Sequence, residues 1–220
     1  MDRVINVINL GAGKGSTAVF MLAREGRFGP LDYAVFADTQ EEPSYVYRHL
    51  AWLRSLGTPP ILIGTAGKLG QHLIAGTDSA GNRKVKNVGM DGSTRTASIP
   101  AFTAKHHERR GQFDSCRDSG RVRRQCTKEY KAAVVERVIR REILGLKPRQ
   151  RFPKDVQVVQ WFGISVDEKI RARKITERFE EIKWAEPRFP LLEIGWRRGD
   201  CEDYLAKAVP HPVHRSACVF

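Results

Sequence analysis

The first sixty residues alternate between short apolar runs and amphipathic stretches, with glycine, proline or acidic residues at the breaks. Val4-Ile5-Asn6-Val7-Ile8-Asn9-Leu10 is rich in β-branched side chains and mostly apolar, which predicts a strand buried in a parallel sheet. Gly11 to Thr17 interrupts that run, and Ala18 to Ala23 predict a helix opened by Ser16 and ended between Gly26 and Pro30. Tyr33 to Ala37 reads as a second strand that stops at Asp38-Thr39. Pro43 then begins a helix whose apolar positions, Val46, Leu50, Leu53 and Leu56, have helical spacing, and Pro60 to Ile63 reads as a third strand. Strands alternating with helices predict right-handed βαβ units, hence an α/β fold: an open, mostly parallel sheet with helices on both faces.

Periodicity fades between about residues 64 and 120, which are rich in glycine, serine and threonine. A short helix around Lys68 to Ala75 and an irregular excursion with room for a hairpin, ending near Phe102, are expected there. From Thr127 to Leu144, Tyr130, Val134, Val138 and Ile143 define one face of a helix that Gly145 caps. Val156 to Phe162 predicts a fourth strand ending at Gly163, and Arg198 to Ala208 a last helix. The whole reads as one domain over 1–220, with an irregular insertion at about 64–120 and a helical C-terminal extension at about 175–220.

Composition narrows the class: 41% apolar and 9% aromatic residues exclude a disordered or collagen-like chain. No stretch approaches the roughly 18 apolar residues of a membrane span, and the N-terminus runs into a strand instead of a signal peptide. A cytoplasmic address and no membrane partner are expected. The 4 cysteines are too scattered for a disulfide framework, so structural thiol, nucleophile and metal ligand are the uses to weigh.

Charge adds a partner class. The net charge of +13 favours polyanions, whether a nucleic acid such as tRNA or DNA or the phosphates of a nucleotide. Residues 1–60 are neutral overall, whereas 121–151 hold eleven basic residues against Glu129, Glu136 and Glu142. Arg124 and Lys128, near the start of the basic helix, are candidates to grip a phosphate or sulfate.

The loop Gly11-Ala12-Gly13-Lys14-Gly15-Ser16-Thr17 is the first candidate site. It is not a Walker loop, because Gly15 separates Lys14 from Ser16, and it lacks the third glycine of a dinucleotide fingerprint, where Val19 stands. Its glycines still let backbone N–H groups approach an anion at a helix N-terminus, with Ser16 as cap and Lys14 as a point charge; a ligand-free glycine turn is the other reading. Asp38, where a strand ends, suits a ribose, an adenine amine or Mg²⁺, and equally the cap of the following helix.

Six stretches in order resemble the PP-loop superfamily of adenine nucleotide α-hydrolases, and within it the phosphoadenosine phosphosulfate (PAPS) reductase-like branch. They are Asn9 to Thr17, Phe36 to Pro43, Arg124 to Lys131, Trp161 to Glu168, Arg198 to Cys201 and Arg215 to Phe220. The resemblance implies ATP or PAPS over the C-terminal edge of the sheet, with phosphates at Gly11, Ala12, Gly13, Lys14, Gly15, Ser16 and Thr17 and the nucleoside at Asp38, Thr39 and Gly163. It implies either cleavage of ATP between the α and β phosphates to activate a substrate, or sulfo transfer from PAPS with a thiol reductant protein as partner. Mg²⁺ would accompany ATP, and Asp38 and Cys126 are the catalytic candidates. Gly11, Ala12 and Gly15 stand where the superfamily's S-G-G-x-D-S pattern has serine, glycine and aspartate, and only Gly13 and Ser16 agree with it.

Cys126, Cys201 and Cys218 match the places of cluster cysteines in iron–sulfur members, three thiols where a [4Fe–4S] cluster takes four. Cys201, His211, His214 and Cys218 also compose a possible Zn²⁺ set, and unliganded thiols and imidazoles are the third reading. A non-catalytic nucleotide- or nucleic-acid-binding protein is the alternative to the enzyme.

Overall fold

The computed structural model describes residues 3–69 and 127–216, together with the backbone of 102–104 and 119–121. The β-branched opening forms β1 (Arg3–Asn9), and the glycine loop turns it into α1 (Lys14–Arg24). β2 (Tyr33–Asp38), α2 (Ser44–Ser55) and β3 (Ile61–Thr65) follow within a residue or two of the positions expected from periodicity. β4 (Phe102–Ala104) and β5 (Ser119–Arg121) form an antiparallel pair that starts where the expected excursion ends; the span expected to hold a hairpin lies outside the described residues. The helix expected over Lys68 to Ala75 lies, beyond Leu69, outside the described residues.

A helix then runs through 127–143, π-helical at Thr127–Ala132, α-helical at Ala133–Val138 (α3) and π-helical again at Ile139–Ile143. Gly145, at φ 64°, ends it in the left-handed conformation that glycine adopts without strain. The wide turns rotate the buried face: Tyr130, Val134 and Val138 are buried as their spacing requires, but Val135 and Ile139 join them. The chain continues through β6 (Val156–Trp161), α4 (Lys169–Phe179), β7 (Ala185–Arg188), the single turn α5 (Pro190–Glu193) and α6 (Arg198–Ala208).

The main sheet has five strands in the order β3-β2-β1-β6-β7, all parallel. Residues 175–220, read from the sequence as a helical extension, supply the edge strand β7 as well as α6. One face of the sheet packs on α1, α2 and α6 through Ile8, Phe20, Leu22, Leu50, Trp161 and Leu205. The other packs on the 127–143 helix through Ile5, Val7, Val35, Val138, Ile139 and Val158. Both faces are thus covered, which is why β1 and β6 read as nearly continuous apolar runs.

The strand order reverses between β1 and β6, so the crossover connections leave in opposite directions there, the arrangement that in open α/β sheets makes a ligand crevice at the C-terminal edge. The 127–143 helix spans the sheet from that edge, where Lys131 meets Glu42 at 3.2 Å, to the N-terminal edge, where the loop after it leads into β6. The basic segment is therefore divided between the two ends of the sheet.

Candidate functional site

The glycine loop sits at the crevice between β1 and β6. α1 begins at Lys14 with Gly13 as its N-cap, and no side chain caps it. Ser16, expected as the cap, lies inside the first turn instead; its hydroxyl donates to Gly13 O at 3.1 Å and accepts from Gly11 N at 3.2 Å. The hydroxyl thereby braces the loop and uses one of its amide donors. Ala12 adopts φ 53° with its methyl in the core, so its contribution to any ligand is confined to the backbone.

Two glycines fix the loop against the next strand. A Cβ on Gly15 would fall far inside the 3.0 Å limit against the carbonyl oxygen of Gly163, and one on Gly163 would strike the amide nitrogen of Ser16. The backbones of the β1–α1 turn and the end of β6 thus touch directly, and only glycine at both positions permits it. Gly163, a nucleoside-binding candidate from the sequence, is thus placed against the backbone of Gly15 and Ser16. Asn9 adds a side-chain link, donating to Gln160 Oε1 at 3.2 Å and to Trp161 O at 3.4 Å.

The C-terminal segment closes over the same loop. A Cβ built on Gly13 would lie 2.9 Å from Ser216 Oγ, and one on Gly11 3.7 Å from it. Tyr45 on α2 donates to Arg215 O at 3.2 Å and packs its ring on His214. His211 Nε2 lies 2.8 Å from His49 Nδ1, and His49 Nε2 lies 3.0 Å from Thr17 Oγ1, so α1, α2 and the segment after α6 share one hydrogen-bonded chain. Trp52 stacks on His49 and meets the His211 ring edge-on. Burial, and secondly His211, push His49 down to about 4. Lys14, Glu202, Leu205, Val209, His211 and Val213 line a cavity of about 410 Å³ beside this segment. No pattern of spacing points to this chain of side chains; only the fold brings them together.

Several candidates have other partners. Lys14 Nζ is held by Glu202 at 2.6 Å, which ties α1 to α6. Thr17 and Thr39 are fully buried; Thr17 bonds His49, and Thr39 donates to Glu42 Oε1 at 3.4 Å, so neither hydroxyl reaches the crevice. Asp38 stands at the C-terminal end of β2, beside Thr65 of β3. It does not cap α2, whose N-cap is Pro43; its Oδ1 accepts from Gln40 N and Tyr47 Oη, each at 2.8 Å. Burial, and then Asp38, push Tyr47 up to about 12. Lys128 is exposed at the start of the 127–143 helix, at the C-terminal edge.

Arg124, Cys126 and Cys218 lie outside the described residues. Cys201 is 1% exposed, inside the core between α1 and α6, and burial, followed by Asp200, Glu202 and Asp167, pushes its thiol up to about 11. The Cys201 side chain therefore packs as a small apolar group between the two helices. His211 bonds His49 and the His214 ring packs on Tyr45, and no group of three or more His, Cys, Asp or Glu among the described residues could hold a metal ion. No described helix is long and apolar enough to cross a membrane. Asp167, in the first turn after Ser165, accepts from Arg198 N at 2.8 Å and so caps α6 from a distance.

Compared with protein-family models, curated proteins and solved structures, the chain gives no match.

Proposed function

We propose that this protein binds an adenine nucleotide, ATP or PAPS, across the crevice between β1 and β6, and uses it in sulfur transfer or in nucleotide-dependent activation of a substrate. The observation that carries this reading is the contact of Gly15 with Gly163, which sets a glycine-rich β1–α1 turn at the point where the order of a parallel sheet reverses. Open α/β sheets bind ligands at such points, and the N-terminus of α1 favours negative charge there. Within this reading Gly13, Gly15 and Ser16 receive the phosphates, Asp38 and Gly163 flank the nucleoside, and Lys128 approaches from the neighbouring helix. Lys14 would have to exchange Glu202 for the phosphate.

The reaction class sets the further requirements. Cleavage of ATP calls on Mg²⁺, for which Asp38 is the carboxylate at hand; sulfo transfer calls on a thiol and a reductant protein. A tRNA or DNA acceptor fits the charge of the chain. No step of this reading is routed through a [4Fe–4S] or zinc site.

Calorimetric titration with ATP, AMP, PAPS and adenosine bisphosphate, with and without Mg²⁺, tests the binding. Binding of one nucleotide that Asp38→Asn weakens at least tenfold is the expected result; no heat with any of the four overturns the reading. Release of pyrophosphate from ATP or of adenosine bisphosphate from PAPS supports an enzyme, and binding without either product favours the non-catalytic alternative.

A further inference from the structure

The loop 147–155 carries Lys147, Arg149, Arg151 and Lys154 against one acidic residue, Asp155, and all five are exposed. It leads into the start of β6 and therefore lies at the N-terminal edge of the sheet. The glycine loop is at the other end of strands that are about 20 Å long at the usual rise per residue. Nothing at the proposed nucleotide site calls for these cations.

Their concentration in one short loop distinguishes them, since most described basic residues also form no described ion pair. Lys14, Lys68, Lys131, Arg171, Arg173 and Arg188 all meet carboxylates. Among the described residues, none of the four loop cations forms an ion pair. Arg3 at the start of β1 and Lys183 before β7 lie along the same edge, exposed and also outside any described ion pair. The acids nearest these cations are Asp155 in the loop itself, Glu142 behind it, Glu180 and Glu181 beside Lys183, and Asp32, which lines a pocket with Arg3; none makes a described ion pair with them.

The loop is nevertheless firmly built. Arg140 Nη2 donates to Gln150 O at 2.6 Å and Arg141 Nη1 to Leu146 O at 2.6 Å. Gln150 closes on Lys147 from both sides, with its side chain accepting from Lys147 N at 2.8 Å and its amide donating to Lys147 O at 3.1 Å. Arg140 also lies 6.0 Å over the Phe152 ring, which stacks on Trp184 with centroids 4.4 Å apart. Arg149 holds φ 63°, a conformation that glycine or asparagine would adopt more easily. Two arginines and an aromatic stack thus fix a turn whose outward side chains are unpaired cations.

We infer that the 147–154 loop and the adjoining N-terminal edge of the sheet form a docking surface for the phosphate backbone of a double-stranded nucleic acid. Guanidinium forks match phosphate oxygens, and a pre-organised loop loses little freedom when it binds them. A duplex fits better than a single strand because the loop's aromatic ring, Phe152, is committed to Trp184 and no ring is offered for stacking on unpaired bases. With no base-reading element in the loop, recognition is of backbone and is independent of sequence.

Fluorescence anisotropy of labelled 24-base-pair DNA and RNA duplexes of arbitrary sequence tests the proposal. Four phosphate contacts would give a log–log salt slope of about −3.6. The double variant Arg149→Gln, Arg151→Gln should bind at least tenfold more weakly, with a slope shallower by about 2. Arg171→Gln with Arg173→Gln on α4 should bind like the parent, and ATP binding should be unchanged in both variants. The DNA and RNA arms identify which duplex is preferred. Absence of duplex binding, equal loss in both variants, tighter binding of an unpaired oligonucleotide, or binding only to anionic vesicles or an acidic peptide would each overturn the inference. Because the ATP titration is read separately, failure here and failure of the nucleotide reading are distinguishable.

Discussion

His49 and His211, from α2 and from the segment after α6, meet through a direct nitrogen–nitrogen hydrogen bond of 2.8 Å. Each hydrogen bond in the chain to Thr17 needs one proton, so doubly charged imidazoles would set two N–H donors against each other. Burial already holds His49 near 4, below its ordinary 6.5.

Stability should therefore depend on pH in a defined direction. The unfolded chain takes up the His49 proton near 6.5 and the folded chain only near 4, so the contribution is complete above 6.5 and declines as pH falls through that window. The full loss would be about 3 kcal/mol. Urea unfolding at pH 7.5, 6, 5 and 4 measures it, and His49→Gln should remove most of this slope. A parent protein whose midpoint is equal at pH 7.5 and 4.5 would show that His49 is not the buried neutral group described.

Gly15→Ala and Gly163→Ala should each cost about 2–3 kcal/mol, because the new methyl meets backbone that no rotamer change can move. Gly13→Ala comes too close only to the Ser216 hydroxyl, which can turn away, and meets the Ser216 backbone nitrogen at an ordinary 3.4 Å, so it should cost less than about 1 kcal/mol. Thermal or urea denaturation of the three variants side by side reads the difference. Equal effects at all three positions would contradict the distinction.

Tyr47 should ionise near 12, and Asp38→Asn should bring it part of the way back toward 10, because burial remains when the carboxylate is gone. Absorbance at 295 nm during alkaline titration of parent and variant follows that one phenol by difference. An unchanged curve would mean that the Asp38–Tyr47 hydrogen bond is not formed in solution.

Cys201 should resist alkylation in the folded protein. At pH 8 a thiol titrating near 11 is about one-thousandth thiolate, and its sulfur is buried as well. Iodoacetamide treatment followed by peptide mass mapping should find Cys201 unmodified in buffer and modified in urea. Rapid labelling in buffer would show that the thiol is not the buried, protonated group described.

Strands and helices with a clear apolar rhythm could be read directly from the chain: β1, β2, β6, α1, α2 and α6 all stand where their patterns put them. α4 was not legible because its stripe is thin: Ala172 is its one buried residue, Ile175 and Phe179 are only partly buried, and Ile170, its conspicuous apolar residue, is 69% exposed. β7 is four residues long and includes Pro187, which suits an edge strand but gives no alternation to detect. The glycine loop was visible as a motif, whereas its brace by Gly163 and its cover by Ser216 depend on pairings between distant parts of the chain. The basic segment was visible as a charge excess, but its division between two ends of the sheet follows from the direction of the 127–143 helix.

The contact between Gly15 and Gly163 also has a consequence for how the chain assembles. β1 leaves the ribosome early and finds β2 nearby, but its other edge has no partner until β6 has been made and docked. The glycine loop acquires its final shape only at that long-range closure, which is the slow kind of step in a parallel sheet. Until then β1 presents an unpaired apolar edge, so fragments ending before Val156 should be prone to pair with one another instead of folding.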